Sequence, residues 1–354
     1  MKFLFTGDFY SGNLEEPIFD QSILDLFDNK ISILNLESPL IKSGFNKKIK
    51  SGPHLSSPEL AVNYLKQLNV NLVCLANNHI CDYEKEGIDN TLKVLEQNLI
   101  SYTGFNYDYH KISENTVVLN ICENEWVDCV SKAGKVNVFN HLVFLKILEQ
   151  KKQKKKVIVI YHGGVENLNI PSPNMVDRLR SLVDFGADLV ISHHTHKISG
   201  WESYRDKNIF YGLGNFYFSN DVGINHTNEK GLLVEISENL KDFKLHFVEK
   251  RRNILYLLEE NEVFELKKSQ NKINELIASS EKLNSVWKAY CEQNKLDTLC
   301  ELYLSILPNK VNYLLKKSGL YKLLLNKMKI RRLINFIRSE SHSERVIDTL
   351  NIFK

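Results

Sequence analysis

Up to about residue 250 the chain alternates short apolar runs with amphipathic stretches, the pattern of a layered α/β domain whose strands are buried beneath helices. Strands are predicted at "KFLFTG", "ISILNLE", "NLVCLA", "TVVLNIC", "KVIVIYH", "ADLVISH", "NIFYGLG", "GLLVEIS" and "KLHFVE". Helices are predicted between them around residues 58–68, 86–98, 138–152 and 174–185. Ser56, Ser57, Pro58 and Glu59 spell a capping box with proline in the first turn of the earliest helix. The run "KKQKKK" at 151–156 fits a solvated helix end, where cations suit the negative pole of the helix dipole. After Arg252 glycines and strand signals thin out, and Leu, Lys, Glu and Asn recur at helical spacing. The expected organisation is an α/β domain over 1–252 and a helical C-terminal region over 253–354.

Composition refines this only slightly. With 354 residues, 43% of them hydrophobic, the chain can bury a sizeable core. Met1 leads straight into strand-like residues with no apolar signal core, and no run approaches a membrane span, so the expected address is cytoplasmic. Six cysteines without CxxC spacing predict reduced thiols.

Charge adds more. Lys310–Lys354 carries eleven Lys and Arg against three acidic residues, net +8, which leaves −5 for the rest of a chain whose total is +3. From Lys310 to Arg338 nine basic residues and no acidic ones interleave with Leu, Ile, Tyr and Phe. That pattern suits a helix lying peripherally on the anionic inner membrane surface, and equally a helix packed on the acidic body of the protein. It matches no nucleic-acid-binding motif, and nucleic acid is not an expected partner.

The chemistry lies in polar residues at the ends of apolar runs. "LFTGD" ends at Asp8, "ILNLE" at Glu37, "VCLANNH" at Asn77, Asn78 and His79, "VIVIYH" at His162, and "LVISHHTH" at His193, His194 and His196. Strand carboxyl ends line the ligand crevice of an open α/β sheet, so these residues can converge. Carboxylates, imidazoles and a carboxamide make a mixed oxygen and nitrogen donor set without thiolates, which suits a divalent metal such as Mn, Fe or Zn. There are donors for one ion or two. In "HHTH", alternate residues of an extended segment are expected to bring His194 and His196 onto one face.

Together "GD" at 7–8, "NLESPL", "LANNH" followed by "DY", "HGGVE", "GADLVISHHTH" and "YGLGNFYF" resemble the bacterial capsule-synthesis CapA (PGA_cap) family, a branch of the calcineurin-like metallophosphoesterases. The resemblance spans roughly residues 1–220 and implies a four-layer α/β/β/α sandwich with a metal centre at the strand ends. It further implies Asp8 and His196 on a first metal, Glu37 as the bridging carboxylate, Asn78, His162 and His194 on a second, and His79 as the non-ligand histidine beside the leaving group. Asn77, His193, Glu166 and Asn215 are its candidate substrate-side residues, with Glu166 also placed to orient His162. Asp82 is expected to tighten the turn after His79. The chain departs from the superfamily in having Tyr10 where a ligand histidine is usual, Glu37 for aspartate and Ile80 for the glutamate that usually ends the asparagine–histidine motif. It also departs from the family in having Gly163 for tryptophan, which predicts a wider pocket.

The implied activity is metal-dependent phosphoester hydrolysis in capsule or exopolysaccharide biosynthesis, on a phosphorylated small molecule, a lipid-linked glycan or a capsule polymer. The alternative is a non-enzymatic factor for capsule or poly-γ-glutamate assembly, whose metal is structural or binds polymer.

Overall fold

The structure, a computed structural model, describes residues 1–13, 16–221, 229–304 and 309–318. Its principal elements are β1 (Lys2–Tyr10), β2 (Ile31–Leu36), β3 (Val70–Cys74), α1 (Glu84–Gln97), β4 (Thr116–Cys122), α2 (His141–Lys152), β5 (Lys156–His162), α3 (Pro173–Asp184), β6 (Leu189–His193), β7 (Asn215–Phe218), β8 (Lys230–Ser237) and α4 (Glu260–Ile277). One sheet has nine strands, with β8, β1, β2 and β3 adjacent in that order and β7 also paired with β1. The other has six, with β6, β5 and β4 at its centre. Around the site the pairing is parallel, β1 with β2 and β7, β5 with β4 and β6, so the carboxyl ends point the same way within each sheet.

Period-two alternation decides which face each residue serves. Phe3, Phe5 and Ile33 of the first sheet meet Val118, Ile158 and Ile160 of the second in the core between the sheets. Their neighbours Leu4, Phe9 and Leu34 face outward beneath Ile88, Leu92 and Leu95 of α1. On the far side Val117, Leu119, Val157 and Val159 lie beneath Val143 and Ile147 of α2 and Leu179 and Leu182 of α3. Both faces of each sheet are therefore dry, which explains why the strands are near-continuous apolar runs. The result is a four-layer α/β/β/α sandwich.

Two local expectations change. No side chain caps the helix after Pro58, which starts as a 3₁₀ turn at Glu59–Ala61. Ser57 Oγ is 2.8 Å from Ser38 Oγ instead, and Glu59 Oε1 accepts from Asn90 Nδ2 at 2.9 Å. The C-terminal helices are not one block either. The chain divides into compact units Met1–Asn284 and Ser285–Lys354, so α4 belongs with the sandwich, and its Ile273 and Ile277 join the outer core of the second sheet. The second unit contains most of the helix Ser280–Leu304 and the helix Asn309–Ser318. The rest of the basic tail, 319–354, lies outside the described residues.

Asp188, just before β6, ties the second sheet together. Its Oδ2 accepts from Val157 N–H at 2.9 Å and Lys151 Nζ at 2.6 Å, and its Oδ1 from Lys207 Nζ at 2.8 Å. Burial raises this carboxyl, but the two lysines and the amide outweigh it and hold the pKa below the ordinary value. A depressed folded-state pKa gives stability that is present above the unfolded value of about 4 and lost as pH falls through the folded one. Asp188→Asn is thus expected to lower stability by about 1–3 kcal/mol at pH 7. Urea melts of both proteins from pH 7 down to about pH 3 should show the gap closing below about pH 4.

Candidate metal centre

Strand register builds the site. β1 runs between β2 and β7 with Asp8 opposite Asn35 on one side and Asn215 on the other. Gly7 permits this, because a Cβ there would come within 2.1 Å of the Gly214 carbonyl oxygen, the group that accepts the Asp8 amide at 3.0 Å. In the second sheet His162 at the end of β5 pairs with His193 at the end of β6.

At these ends the donor atoms fall into two groups, Glu37 with His162 and His194, and Asp8 with Glu37 and His196, each with its atoms within 4.8 Å of one another. All five residues are buried. Glu37 belongs to both groups: its Oε1 lies 3.6 Å from His162 Nε2 and 3.7 Å from His196 Nε2, beyond hydrogen-bond range. Among the described residues neither Glu37 carboxylate oxygen has a hydrogen-bond partner. Burial and the charge of Asp8 push its pKa well above the ordinary value. A buried, partnerless carboxylate costs several kcal/mol unless a cation answers it, so the residues present fit a divalent metal.

The remaining groups are tuned to the same end. Burial raises Asp8, but His193, whose Nδ1 is 3.1 Å from Asp8 Oδ1, and the neighbouring imidazoles outweigh it and hold the carboxyl below its usual range. Asp8 Oδ1 also accepts from Asn35 Nδ2 at 2.8 Å and Oδ2 from the His194 amide at 3.2 Å. Burial drives His162 well below its ordinary pKa and takes His194 down to about 4, keeping both imidazoles in the neutral form that binds metals. His162 Nε2 is 2.9 Å from Asn78 Oδ1 and 3.1 Å from His194 Nδ1, which brings Asn78 to the edge of that group. His196 Nδ1 is 2.9 Å from Asn215 Oδ1, a contact in which the ring donates, leaving Nε2 for a ligand; Asn215 Nδ2 donates in turn to Glu229 Oε2 at 2.6 Å.

His194 and His196 meet for a different reason than extended alternation. β6 ends at His193, and the two residues have φ of 89° and 54°, left-handed values that cost about 1–3 kcal/mol each in a non-glycine residue. Backbone turning, in place of strand pleat, aims both rings at the carboxylates.

His79 stands outside both groups. Its Nδ1 lies 2.7 Å from Asp82 Oδ2, so Asp82 orients this ring as well as closing the turn through its amide to the His79 carbonyl at 3.0 Å. Asp82 is fully buried, accepts from Leu55 N–H at 2.8 Å and forms an ion pair with Lys50, whose side chain is only 2% exposed although its loop is largely open. Burial lowers the His79 pKa and Asp82 opposes that shift. Asn77 is wholly buried, donating from Nδ2 to the Leu36 carbonyl at 2.8 Å and accepting from the His79 amide at 3.2 Å, so it shapes the loop carrying Asn78 and His79.

Several expected details differ. Glu166 is exposed, and the hydrogen-bonding groups at the His162 ring are Asn78, His194 and Asn35; Glu166 reaches the site through its charge, which adds to the upward shift of Glu37. Gly163 does not open a pocket, since a Cβ there would meet Glu123 Cγ at 2.5 Å and the Tyr161 hydroxyl at 2.7 Å: those side chains already fill the space. Tyr10 is buried with its ring 5.0 Å from that of Phe218, which in turn packs 4.9 Å from His196. Sequence reasoning missed Asn35 and Lys50. Asn35 carried a signal, standing two residues before Glu37 near the end of an apolar run; Lys50, in an irregular loop, carried none.

A four-layer α/β/β/α sandwich carries, at its strand ends, paired His and carboxylate groups that could hold a divalent metal. The chain belongs to the family described as bacterial capsule synthesis protein PGA_cap, whose model matches residues 5–220. It is 28% identical over 248 residues to "Capsule biosynthesis protein CapA" of Bacillus anthracis, covering 65% of this chain and 55% of that protein. It is also 28% identical over 251 residues to "PGA biosynthesis protein CapA" of Bacillus subtilis strain 168, covering 65% and 66%. The chain thus spans between about half and two thirds of the length of these curated relatives. A solved structure of a hypothetical protein from Thermus thermophilus aligns with a TM-score of 0.44 at 13% identity over 71% of this chain and 100% of that one, too distant a likeness to bear on the fold.

Proposed function

We propose that this chain is a metal-dependent phosphoesterase acting in capsule or exopolysaccharide biosynthesis. The observation that carries the reading is the pair of ligand groups sharing Glu37, with His79 held beside them by Asp82 and committed to neither group. The residues that would hold metal are Asp8, Glu37 and His196 on one side, and Glu37, His162, His194 and the Asn78 carboxamide on the other. Divalent ions bound there supply Lewis-acid polarisation of a phosphoryl group and activation of water near neutral pH.

The protein's own residues do the rest. Asn215 holds the His196 ring with Nε2 turned toward Glu37, and Asn35 together with the His194 amide fixes Asp8. Asp82 keeps His79 Nδ1 engaged, so Nε2 is the atom through which a proton passes to the leaving oxygen. Burial of the whole cluster excludes bulk water and strengthens each of these contacts. The capsule setting comes from the named roles of the two Bacillus relatives. No described helix is long and apolar enough to cross a membrane, and surface attachment through the basic tail stays a proposal of its own.

The test is a screen of phosphomonoesters and phosphodiesters with the purified, manganese-loaded protein. Turnover of one ester class that disappears on chelation and returns with Mn²⁺ supports the reading. Tight metal binding with no turnover of any ester would instead favour an assembly factor.

A further inference from the structure

Beside the metal centre a cavity of about 510 Å³ opens on His196. It is within the range of about 300–1,000 Å³ typical of small-molecule sites. Its far wall is one face of α4: Leu266, Ser269, Gln270 and Ile273 follow the i, i+3, i+4, i+7 spacing of a single helical stripe. The near wall brings Asn167 and Asn169 from the loop after "HGGVE". The PGA_cap match covers residues 5–220, so α4 lies beyond the matched stretch, and it walls a space that reaches His196. A wall beside the centre but outside the matched stretch is where substrate choice is expected to reside.

We infer that this cavity is a subsite for a neutral, hydroxyl-rich group, a sugar residue attached to the phosphate handled at the metal centre. The inference rests on the phosphoesterase reading and narrows its substrate class. Three exposed lining side chains, Asn167, Asn169 and Ser269, are uncharged amides or a hydroxyl, which pair with alcohols as both donors and acceptors, and Gln270 beneath them is buried with its Nε2 donating to the Ser199 carbonyl at 3.2 Å. Lys197 Nζ is 3.2 Å from Glu229 Oε1, so a second phosphate or a polyanion would compete with that carboxylate, and Lys230 Nζ is 3.8 Å from Glu249 Oε1, a carboxylate that also pairs with Arg251. Among the described lining residues there is no Phe, Tyr or Trp ring on which a nucleobase could stack, and the one imidazole, His196, is held by Asn215, which sets nucleotides behind sugars. Ile198, Leu266 and Ile273 give apolar surface for the C–H faces of a pyranose. The cavity is also wired to the centre, because Glu229 in its wall accepts from Asn215, which orients His196. A group bound there sits one hydrogen-bond chain from a metal-binding imidazole.

The experiment compares glucose 1-phosphate, AMP and inorganic phosphate by calorimetry on full-length, manganese-loaded protein carrying His79→Ala to prevent turnover. It is repeated with Ser269→Trp and, separately, Asn169→Trp; both positions are exposed, so each indole fills the cavity without displacing core. Glucose 1-phosphate should bind about tenfold or more tighter than phosphate, the weight of one or two well-made hydrogen bonds, and AMP should show no such gain. Both tryptophan variants should erase the advantage while leaving phosphate affinity and metal content unchanged. Equal affinity for glucose 1-phosphate and phosphate, an AMP gain as large as the sugar's, or an advantage that survives both variants overturns the inference. Methyl α-glucoside in saturation-transfer NMR reads the cavity without any phosphate. A transfer signal present in the wild type and abolished by Ser269→Trp supports the subsite, and no signal with the wild type refutes it. Should phosphate fail to bind while the glucoside does, the phosphoesterase reading falls and the sugar site stands.

Discussion

Turnover of a responsive phosphate ester should fall about 100- to 10,000-fold in His79→Ala, with metal content unchanged. The expectation comes from position: His79 belongs to neither ligand group, so its loss leaves the donors in place, while its Nδ1 contact with Asp82 at 2.7 Å leaves Nε2 for a proton. Asp82→Asn should cost less, about 10- to 100-fold, by disturbing the orientation of the ring, and it should also lower stability because buried Lys50 loses its counter-charge. Rates are to be compared at matched metal occupancy and with circular dichroism showing an intact fold. Wild-type turnover in His79→Ala would reduce this residue to a packing histidine.

Glu37→Gln should have the opposite profile, losing metal at both groups while the metal-free protein becomes no less stable. Gln keeps the shape and removes the charge that sits buried, partnerless and close to Asp8. Removing an uncompensated buried carboxylate relieves a penalty in the empty site, and the melting temperature in chelator should equal or exceed that of the wild type. His194→Ala, by contrast, touches one group and should leave the Asp8, Glu37 and His196 group able to bind. Elemental analysis after gel filtration and thermal melts in excess chelator check both halves. A Glu37→Gln protein that is destabilised without metal would mean that Glu37 stabilises the fold directly and is no uncompensated charge.

The parts of this site visible in the sequence were those where chemistry conflicts with burial. Asp8, Glu37, Asn78 and His162 interrupt apolar runs that a core would continue, and the strand ends that carry them lie together in the structure. The alternation of Phe3, Leu4 and Phe5 likewise predicts strands with two dry faces, and both cores confirm it. What stayed hidden depends on contacts between distant segments. Nothing in "HHTH" announces two left-handed residues, because the geometry is imposed by what the rings must reach. Lys50 looks like any loop lysine until the fold brings Asp82 to it. Gly163 suggests empty space only while Glu123, 40 residues earlier in the chain, is out of view. The helical stripe 266–273 reads as ordinary amphipathic packing, and only the structure shows Ser269 and Gln270 facing a cavity beside His196.

If Glu37 joins two metal-binding groups into one centre, manganese titration of the metal-free protein, followed by electron paramagnetic resonance, tests it most directly. Two Mn²⁺ should bind per chain with the exchange-coupled signal of neighbouring ions, and that signal should be absent in Glu37→Gln. Failure of the wild type to bind Mn²⁺, or a single uncoupled ion held equally by wild type and Glu37→Gln, would contradict the shared centre.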